Sequence, residues 1–140
     1  MKRLKIVLDS NVIFSGLLSK KGASFGLLKI IPENKFTIVI SVPLIIEYES
    51  VLIKNLTKLH LNRSDINDFL DYLCAAGEHA KIFYLWRPLL KDPYDDHVLE
   101  VAVSSNSQYI ITYNIKDFKE AQLFGIHVIT PDVFLSEIVA

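Results

Sequence analysis

Two kinds of hydrophobic pattern alternate along this chain. Leu4–Leu8 and Phe36–Ile40 are short, nearly continuous apolar runs, and the second is rich in β-branched residues. Such runs are typical of strands buried on both faces of a sheet. By contrast, Ile66, Leu70 and Leu73 recur at helical spacing, which predicts an amphipathic helix. The chain is therefore predicted to switch repeatedly between strand and helix.

The predicted elements follow from these patterns and from capping residues. Ser41 is a predicted N-cap with Pro43 just inside the helix, and Gly77 and Gly125 are predicted helix stops. The predicted strands are Leu4–Leu8, Phe36–Ile40, Ile82–Leu85, Tyr109–Thr112 and Val128–Ile129. The predicted helices span about 11–18, 24–31, 41–58, 64–77 with Ser64 as cap, a segment opened by Asp92-Pro93, 117–124, and a C-terminal segment opened by Thr130-Pro131. Strands alternating with helices predict an α/β fold whose parallel sheet is covered on both faces.

Composition adds limits on size and location. A chain of 140 residues with 51% hydrophobic residues predicts one domain, residues 1–140, with a substantial core. No apolar run approaches the roughly 20 residues that cross a bilayer. The basic start Met1–Lys5 is not followed by a signal-peptide core, because Asp9 interrupts the apolar stretch. The single cysteine, Cys74, excludes an internal disulfide and predicts a reducing cytoplasm.

Charge and histidine content narrow the chemistry. A net charge of −1 argues against a protein held to nucleic acid by bulk charge. It leaves a nuclease open, since a carboxylate-rich site lowers the net charge while local lysines contact phosphates. No Cys/His zinc pattern exists, and each histidine is expected to be a surface or packing residue. The histidines are His60, His79, His97 and His127.

Polar residues gather where the predicted strands end. Ligands of parallel sheets bind beyond the carboxyl ends of the strands. Converging carboxylates repel one another, so a fold that keeps them favours a cation, and oxygen ligands suit Mg²⁺ or Mn²⁺. Such ions activate water against phosphodiesters. The candidates at this edge are Asp9, Asn11, Ser41, Glu47, Asp96, Thr112, Asn114 and Asp117.

Several of these residues have a structural alternative. Asp9 has the position of a helix cap, although Asp-x-Asn after a buried strand favours a site. Asp92 is expected to be an N-cap and Asp95 a helix-dipole partner. Asp96 is the better ligand candidate, but spacing alone does not separate it from Asp95. Glu100, one turn after Asp96, either supports that ligand or faces solvent, and the solvent-facing position is expected.

The later candidates are equally open. Glu47 is either a site residue facing the sheet edge or a solvent-facing helix residue. Thr112 either hydrogen-bonds Asp9 or a phosphate, or merely ends its strand. Asn114 and Asp117 have the spacing of a helix cap, and this interpretation is as well supported as the functional one.

Five segments in order resemble the motifs of PIN domains, in particular the VapC-like toxins of bacterial and archaeal toxin–antitoxin pairs. The resemblance covers nearly the whole chain. The segments are Val7–Val12, Ser41–Glu47 with Val51-Leu52, Asp92–Leu99 running on to Ala102, Ile111–Phe118, and Thr130–Asp132 with Phe134-Leu135.

The resemblance implies a three-layer α/β/α sandwich, an endoribonuclease dependent on Mg²⁺ or Mn²⁺, a cognate antitoxin and a homodimer. By motif, Asp9, Glu47 and Asp96 form the acidic site, and Thr112 precedes its fourth position. Asn114 occupies that position, which is often aspartate in relatives. A neutral amide weakens a second metal site, so the resemblance favours one ion held by Asp9 and Asp96, with Asp117 as a possible substitute for the missing charge.

Two other function classes are compared with this hypothesis. Asp9–Val12 partly matches the nucleophile loop of haloacid-dehalogenase-type phosphatases, but Asn11 stands where that family needs a second aspartate. The helix that carries Glu47 also argues against this phosphatase class. A phosphoacceptor receiver domain is disfavoured as well, because the acidic pair that such domains have after the first strand is missing from this sequence. The neutral Asn114 leaves open a non-catalytic module that binds RNA or an antitoxin.

Overall fold

The computed structural model describes residues 3–81 and 93–139. The strands are β1 (Leu4–Leu8), β2 (Phe36–Ile40), β3 (Glu78–His79), β4 (Tyr109–Ile111) and β5 (His127–Ile129). The α-helices are α1 (Ser10–Leu18), α2 (Ala23–Lys29), α3 (Val42–Ile53), α4 (Leu56–Leu59), α5 (Arg63–Ala76), α6 (Pro93–Ser105) and α7 (Pro131–Val139), with 3₁₀ helices at Ile31–Glu33 and Ile115–Phe124. The predicted strand Ile82–Leu85 and the predicted cap Asp92 lie outside the described residues.

The strands form one parallel sheet in the order β3-β2-β1-β4-β5. The chain builds outward from β1 through β2 to β3, and then crosses to the other side of β1 to add β4 and β5. The strand order therefore reverses between β1 and β4. In open α/β sheets this reversal point leaves a crevice at the carboxyl ends of the two strands, where ligands bind.

Both faces of the sheet are covered, as the apolar runs predict. Ile6, Val7 and Leu8 are successive residues of β1 and are 0%, 0% and 1% exposed. Successive strand residues point to opposite faces, so both faces of β1 must be packed. The predicted α/β/α sandwich with a central parallel sheet is thus confirmed. Among the residues described, no helix is both long and apolar enough to cross a membrane.

Helix α6 runs antiparallel to the strands it packs against, β1, β2 and β4. Its last residue, Ser105, accepts a hydrogen bond at 3.3 Å from the Lys5 ammonium near the start of β1. The helix has 13 residues, about 20 Å of length. Its first turn, with Asp95 and Asp96, therefore lies at the carboxyl edge of the sheet.

The prediction of one helix from Ser41 to Lys58 was wrong. Asn55 has φ −122° and ψ 22°, which separates α3 from α4. Its side-chain amide donates to the carbonyl of Val51 at 2.7 Å, and its backbone N–H bonds Leu52 instead. Asparagine side chains compete with the backbone in this way and interrupt helices.

Two further predictions need correction around α5. Asn62, rather than Ser64, is the N-cap, and it forms a reciprocal capping box with Asp65. The helix therefore begins at Arg63, earlier than predicted. It ends before Gly77, as predicted. Strand β3 was not predicted, because two polar residues, Glu78 and His79, carry no hydrophobic pattern.

Candidate functional site

Asp9 stands at the carboxyl end of β1, beside the point where the strand order reverses. Its side chain is only 3% exposed. One carboxylate oxygen, Oδ1, accepts from the backbone N–H of Ser10 at 2.8 Å and so caps α1. The other, Oδ2, accepts from the hydroxyl of Thr112 at 2.7 Å. The capping role and the contact across the crevice therefore coexist in one side chain.

Thr112 connects the two sides of this crevice. It is fully buried, directly after β4, and its hydroxyl donates to Asp9. The same oxygen accepts from the backbone N–H of Asn114 at 3.0 Å and from the Asn11 amide at 3.4 Å. A hydroxyl has one proton and two lone pairs, so these three bonds use its full capacity. Asp9, Asn11 and Thr112 are thus brought together, as the strand-end analysis predicts.

Helix α3 is fastened to the same edge. Ser41 is 4% exposed and caps the helix by accepting from Leu44 N–H at 3.2 Å, so its predicted capping role is confirmed. Tyr48 donates its hydroxyl to the carbonyl of Leu8, the residue before Asp9. Glu47 adjoins Tyr48 and is half-buried. Its carboxylate forms no hydrogen bond or ion pair within residues 3–81 and 93–139.

The first turns of α6 bury three carboxylates. Asp95 is 9% exposed, and Asp96 and Glu100 are each 7% exposed. The expectation that Glu100 faces solvent was wrong, because it lies on a part of α6 that packs against the sheet and neighbouring helices. Burying a carboxylate is costly unless partners compensate it. No three Asp, Glu, His or Cys side chains form a ready-made metal-binding group in the described parts of the chain.

Asn114 and Asp117 are exposed and differ in this from the buried candidates. Asn114 is the N-cap of the 3₁₀ helix Ile115–Phe124 through its backbone, since its carbonyl accepts from Asp117 N–H at 3.0 Å. Its side chain makes no capping bond. The predicted cap spacing is confirmed for the backbone, and the functional interpretation of the two side chains stays a prediction.

Three side chains near this site were not predicted from the sequence, those of Ser24, Tyr48 and Tyr113. The hydroxyls of Ser24 and Tyr113 are hydrogen-bonded at 2.5 Å although the residues are 89 positions apart. The hydroxyl of Tyr48 likewise reaches the carbonyl of Leu8, 40 positions away. No local pattern indicates these contacts, because each depends on how distant elements pack.

Comparison with known proteins agrees with this architecture. The sequence model of the PIN domain matches residues 5–116. One similar structure is VapBC2 from Rickettsia felis bound to a DNA fragment from their promoter, with 18% identity, a TM-score of 0.59, and coverage of 89% of this chain and 97% of that chain. Another is a PilT N-terminus domain protein from the hyperthermophilic archaeon Sulfolobus solfataricus P2, with 20% identity, a TM-score of 0.56, and coverage of 96% and 93%.

At these identities the two structures support the fold alone. A search of curated proteins found no match. The family match, in contrast, spans most of the chain and includes Asp9, Glu47, Asp96 and Thr112. On this evidence, the chain belongs to the PIN domain family.

Proposed function

We propose that this protein is a metal-dependent endoribonuclease and the toxin of a toxin–antitoxin pair. PIN domains are generally nucleases, which supports the reaction class. The observation that carries the proposal is the buried Asp9 carboxylate, held at 2.7 Å by Thr112 between β1 and β4. The fold thus buries a carboxylate at the crevice where α/β sheets bind ligands, and a residue of the neighbouring strand orients it. This arrangement supports a catalytic site at that crevice.

The donor chemistry fits a hard divalent cation. The candidates at this edge offer oxygen atoms alone, which suits Mg²⁺ or Mn²⁺. Mg²⁺ is commonly bound by one or two carboxylates, with water and substrate phosphate completing its shell, so a preformed group of three acids is not required. Asp9 and Asp96 are the proposed ligands. Such an ion, when bound, lowers the pKa of a water molecule and neutralises charge on the phosphodiester.

The chain's own residues would orient this chemistry. The bonds from Thr112 and from Ser10 N–H hold the Asp9 carboxylate in one rotamer, and such supporting bonds strengthen metal binding. Glu47 is proposed to accept the proton of the attacking water, since its half-buried carboxylate is not engaged by other described residues. Asn114 and Thr112 are proposed to position the metal's waters or the scissile phosphate, and Asn11 to support them through its bond to Thr112.

One metal ion is favoured over two. Asn114 is neutral and exposed, so it adds no charge to hold a second cation beside Asp9. Asp117 carries charge but is also exposed, where water competes for the ion. Ser41 is proposed to act through its cap of α3, which positions Glu47, rather than by touching substrate.

The biological setting is part of the proposal. The similar Rickettsia felis structure is a toxin–antitoxin complex, which supports a cognate antitoxin as partner. We further propose that the substrate is RNA, that the protein forms a homodimer and that it is located in the cytoplasm. The second candidate is a binding module without catalysis, which the neutral Asn114 at the fourth motif position favours.

The test is cleavage of single-stranded RNA with Mn²⁺, with EDTA as one control. Asp9→Asn and Asp96→Asn should each abolish cleavage and weaken Mn²⁺ binding measured by calorimetry. Asp71→Asn is the matched control, because Asp71 is an exposed carboxylate of α5. Cleavage that survives EDTA and Asp9→Asn would refute the mechanism. RNA binding without cleavage by the unaltered protein would favour the binding module.

A further inference from the structure

Tyr113 presents an exposed aromatic ring at the rim of the candidate site. It directly follows Thr112, whose hydroxyl holds Asp9, and it is 44% exposed. Its own hydroxyl is hydrogen-bonded to Ser24 Oγ at 2.5 Å, and Ser24 in α2 is fully buried. Its backbone N–H donates to the Asn11 side chain at 3.4 Å. The residue is thus anchored at its backbone and at its phenol oxygen, and the ring between them keeps an open surface.

This anchoring bears on binding energy. An exposed tyrosine normally leaves its hydroxyl in water and its ring free to change rotamer. Here the hydroxyl is engaged within the fold, so a ligand that covers the ring loses little side-chain entropy. Tyrosine supplies rigid contact area at low entropic cost for this reason. The arrangement is that of a preorganised platform.

The surface on the C-terminal side of Tyr113 also exposes an apolar side chain. Ile115, two residues on, is 43% exposed. It also lines a cleft of about 480 Å³ that runs along the 3₁₀ helix and β5 and includes Lys119 and His127. Ile115 and Lys119 therefore bring an aliphatic side chain and a cation to one cleft that begins two residues after Tyr113.

We propose that Tyr113 stacks on one unpaired base of the RNA, next to the scissile phosphate, and so positions the strand at the candidate site. The inference rests on the proposed ribonuclease function and adds a residue that binds its substrate. Every base has a π-face, so stacking tolerates sequence but requires that the base be unpaired. The next phosphate on that side is expected to pass toward Lys119.

Binding is best measured without cleavage. The Asp9→Asn protein, titrated into fluorescently labelled single-stranded RNA and followed by anisotropy, reports the Kd. Tyr113→Leu, which keeps apolar bulk but removes the π-face, should raise the Kd about ten-fold. Tyr113→Phe keeps the ring and loses only the bond to Ser24, so its Kd should rise about three-fold at most. Tyr72→Leu is the matched control, because Tyr72 on α5 is 39% exposed.

A second comparison uses duplex RNA of the same sequence, whose Kd should not respond to Tyr113→Leu. Thermal melts identify any variant that fails to fold, and if Tyr113→Leu does so, Tyr113→Gln, which also removes the π-face but keeps a polar group, carries the test. An unchanged Kd for Tyr113→Leu, in a protein whose unaltered form binds and cleaves RNA, would overturn the inference and leave the proposed function standing. Equal weakening for duplex RNA would also overturn it. Failure of the unaltered protein to bind or cleave any RNA would instead defeat the proposed function.

Discussion

Replacing Thr112 by valine removes one hydroxyl from the centre of the candidate site and keeps the branched shape of the side chain. The Thr112 side chain is fully buried, so no water molecule takes the place of the removed hydroxyl. Two contacts of the hydroxyl dominate: the 2.7 Å bond donated to the Asp9 carboxylate and the 3.0 Å bond accepted from Asn114 N–H. The first involves an acidic group, and the second belongs to an exposed residue.

The expected loss follows from these two environments. A hydrogen bond to a charged group contributes about 1.5–3 kcal/mol to stability. Asn114 is an exposed residue whose N–H is part-buried, so water restores part of the bond that this N–H loses. The buried methyl group of valine recovers part of the loss through burial. The net change in the free energy of unfolding should be about 2 kcal/mol, or a decrease of about 7 °C in Tm for a chain of this size.

Urea unfolding at neutral pH measures this change, and an unaltered m-value would show that the unfolded state is the same. Thr37→Val is the matched control, since Thr37 lies on β2 of the same sheet and its hydroxyl bonds no other described residue. That variant should change stability by less than about 0.5 kcal/mol. If Thr112→Val were as mild as Thr37→Val, the hydroxyl would not be stabilising Asp9, and its role in orienting the carboxylate would be refuted.

Three further outcomes are expected. Asn62→Ala removes the side chain that caps α5 and should cost about 1 kcal/mol by urea unfolding, while an effect near zero would contradict the capping box. Gly125→Ala should cost about 1–2 kcal/mol because its φ is 73°, whereas Gly22→Ala, with φ −89° and open space, should change little in the same assay. The pKa of Tyr109 is raised because its phenol donates to the Glu137 carboxylate, with burial and the negative charge adding to the effect. That contribution to stability is present below about pH 10 and is lost as pH rises through the raised pKa. Tyr109→Phe should therefore remove, from an absorbance titration, a tyrosine transition that lies above about pH 10, and loss of a transition at the ordinary pH instead would count against this pair.

Much of the secondary structure was predictable because its causes are local. The apolar run Leu4–Leu8 forms a strand buried on both faces, and Pro43 and Gly77 lie where α3 begins and α5 ends. The errors also have local causes. Asn55 diverts a backbone carbonyl and splits a helix, and the Asn62 box was overlooked in favour of Ser64.

The sequence by itself determined which residues follow the strands, and parallel pairing then required Asp9 and Thr112 to share an edge. Only the tertiary structure decided that they touch, since the bond joins residues 103 positions apart. It also decided that Glu100 is buried and that Tyr113 is anchored yet open. The physical reason is that hydrophobic periodicity records which face of an element is apolar. What covers the polar face, and which distant hydroxyl meets a carboxylate there, depends on how the elements pack against one another.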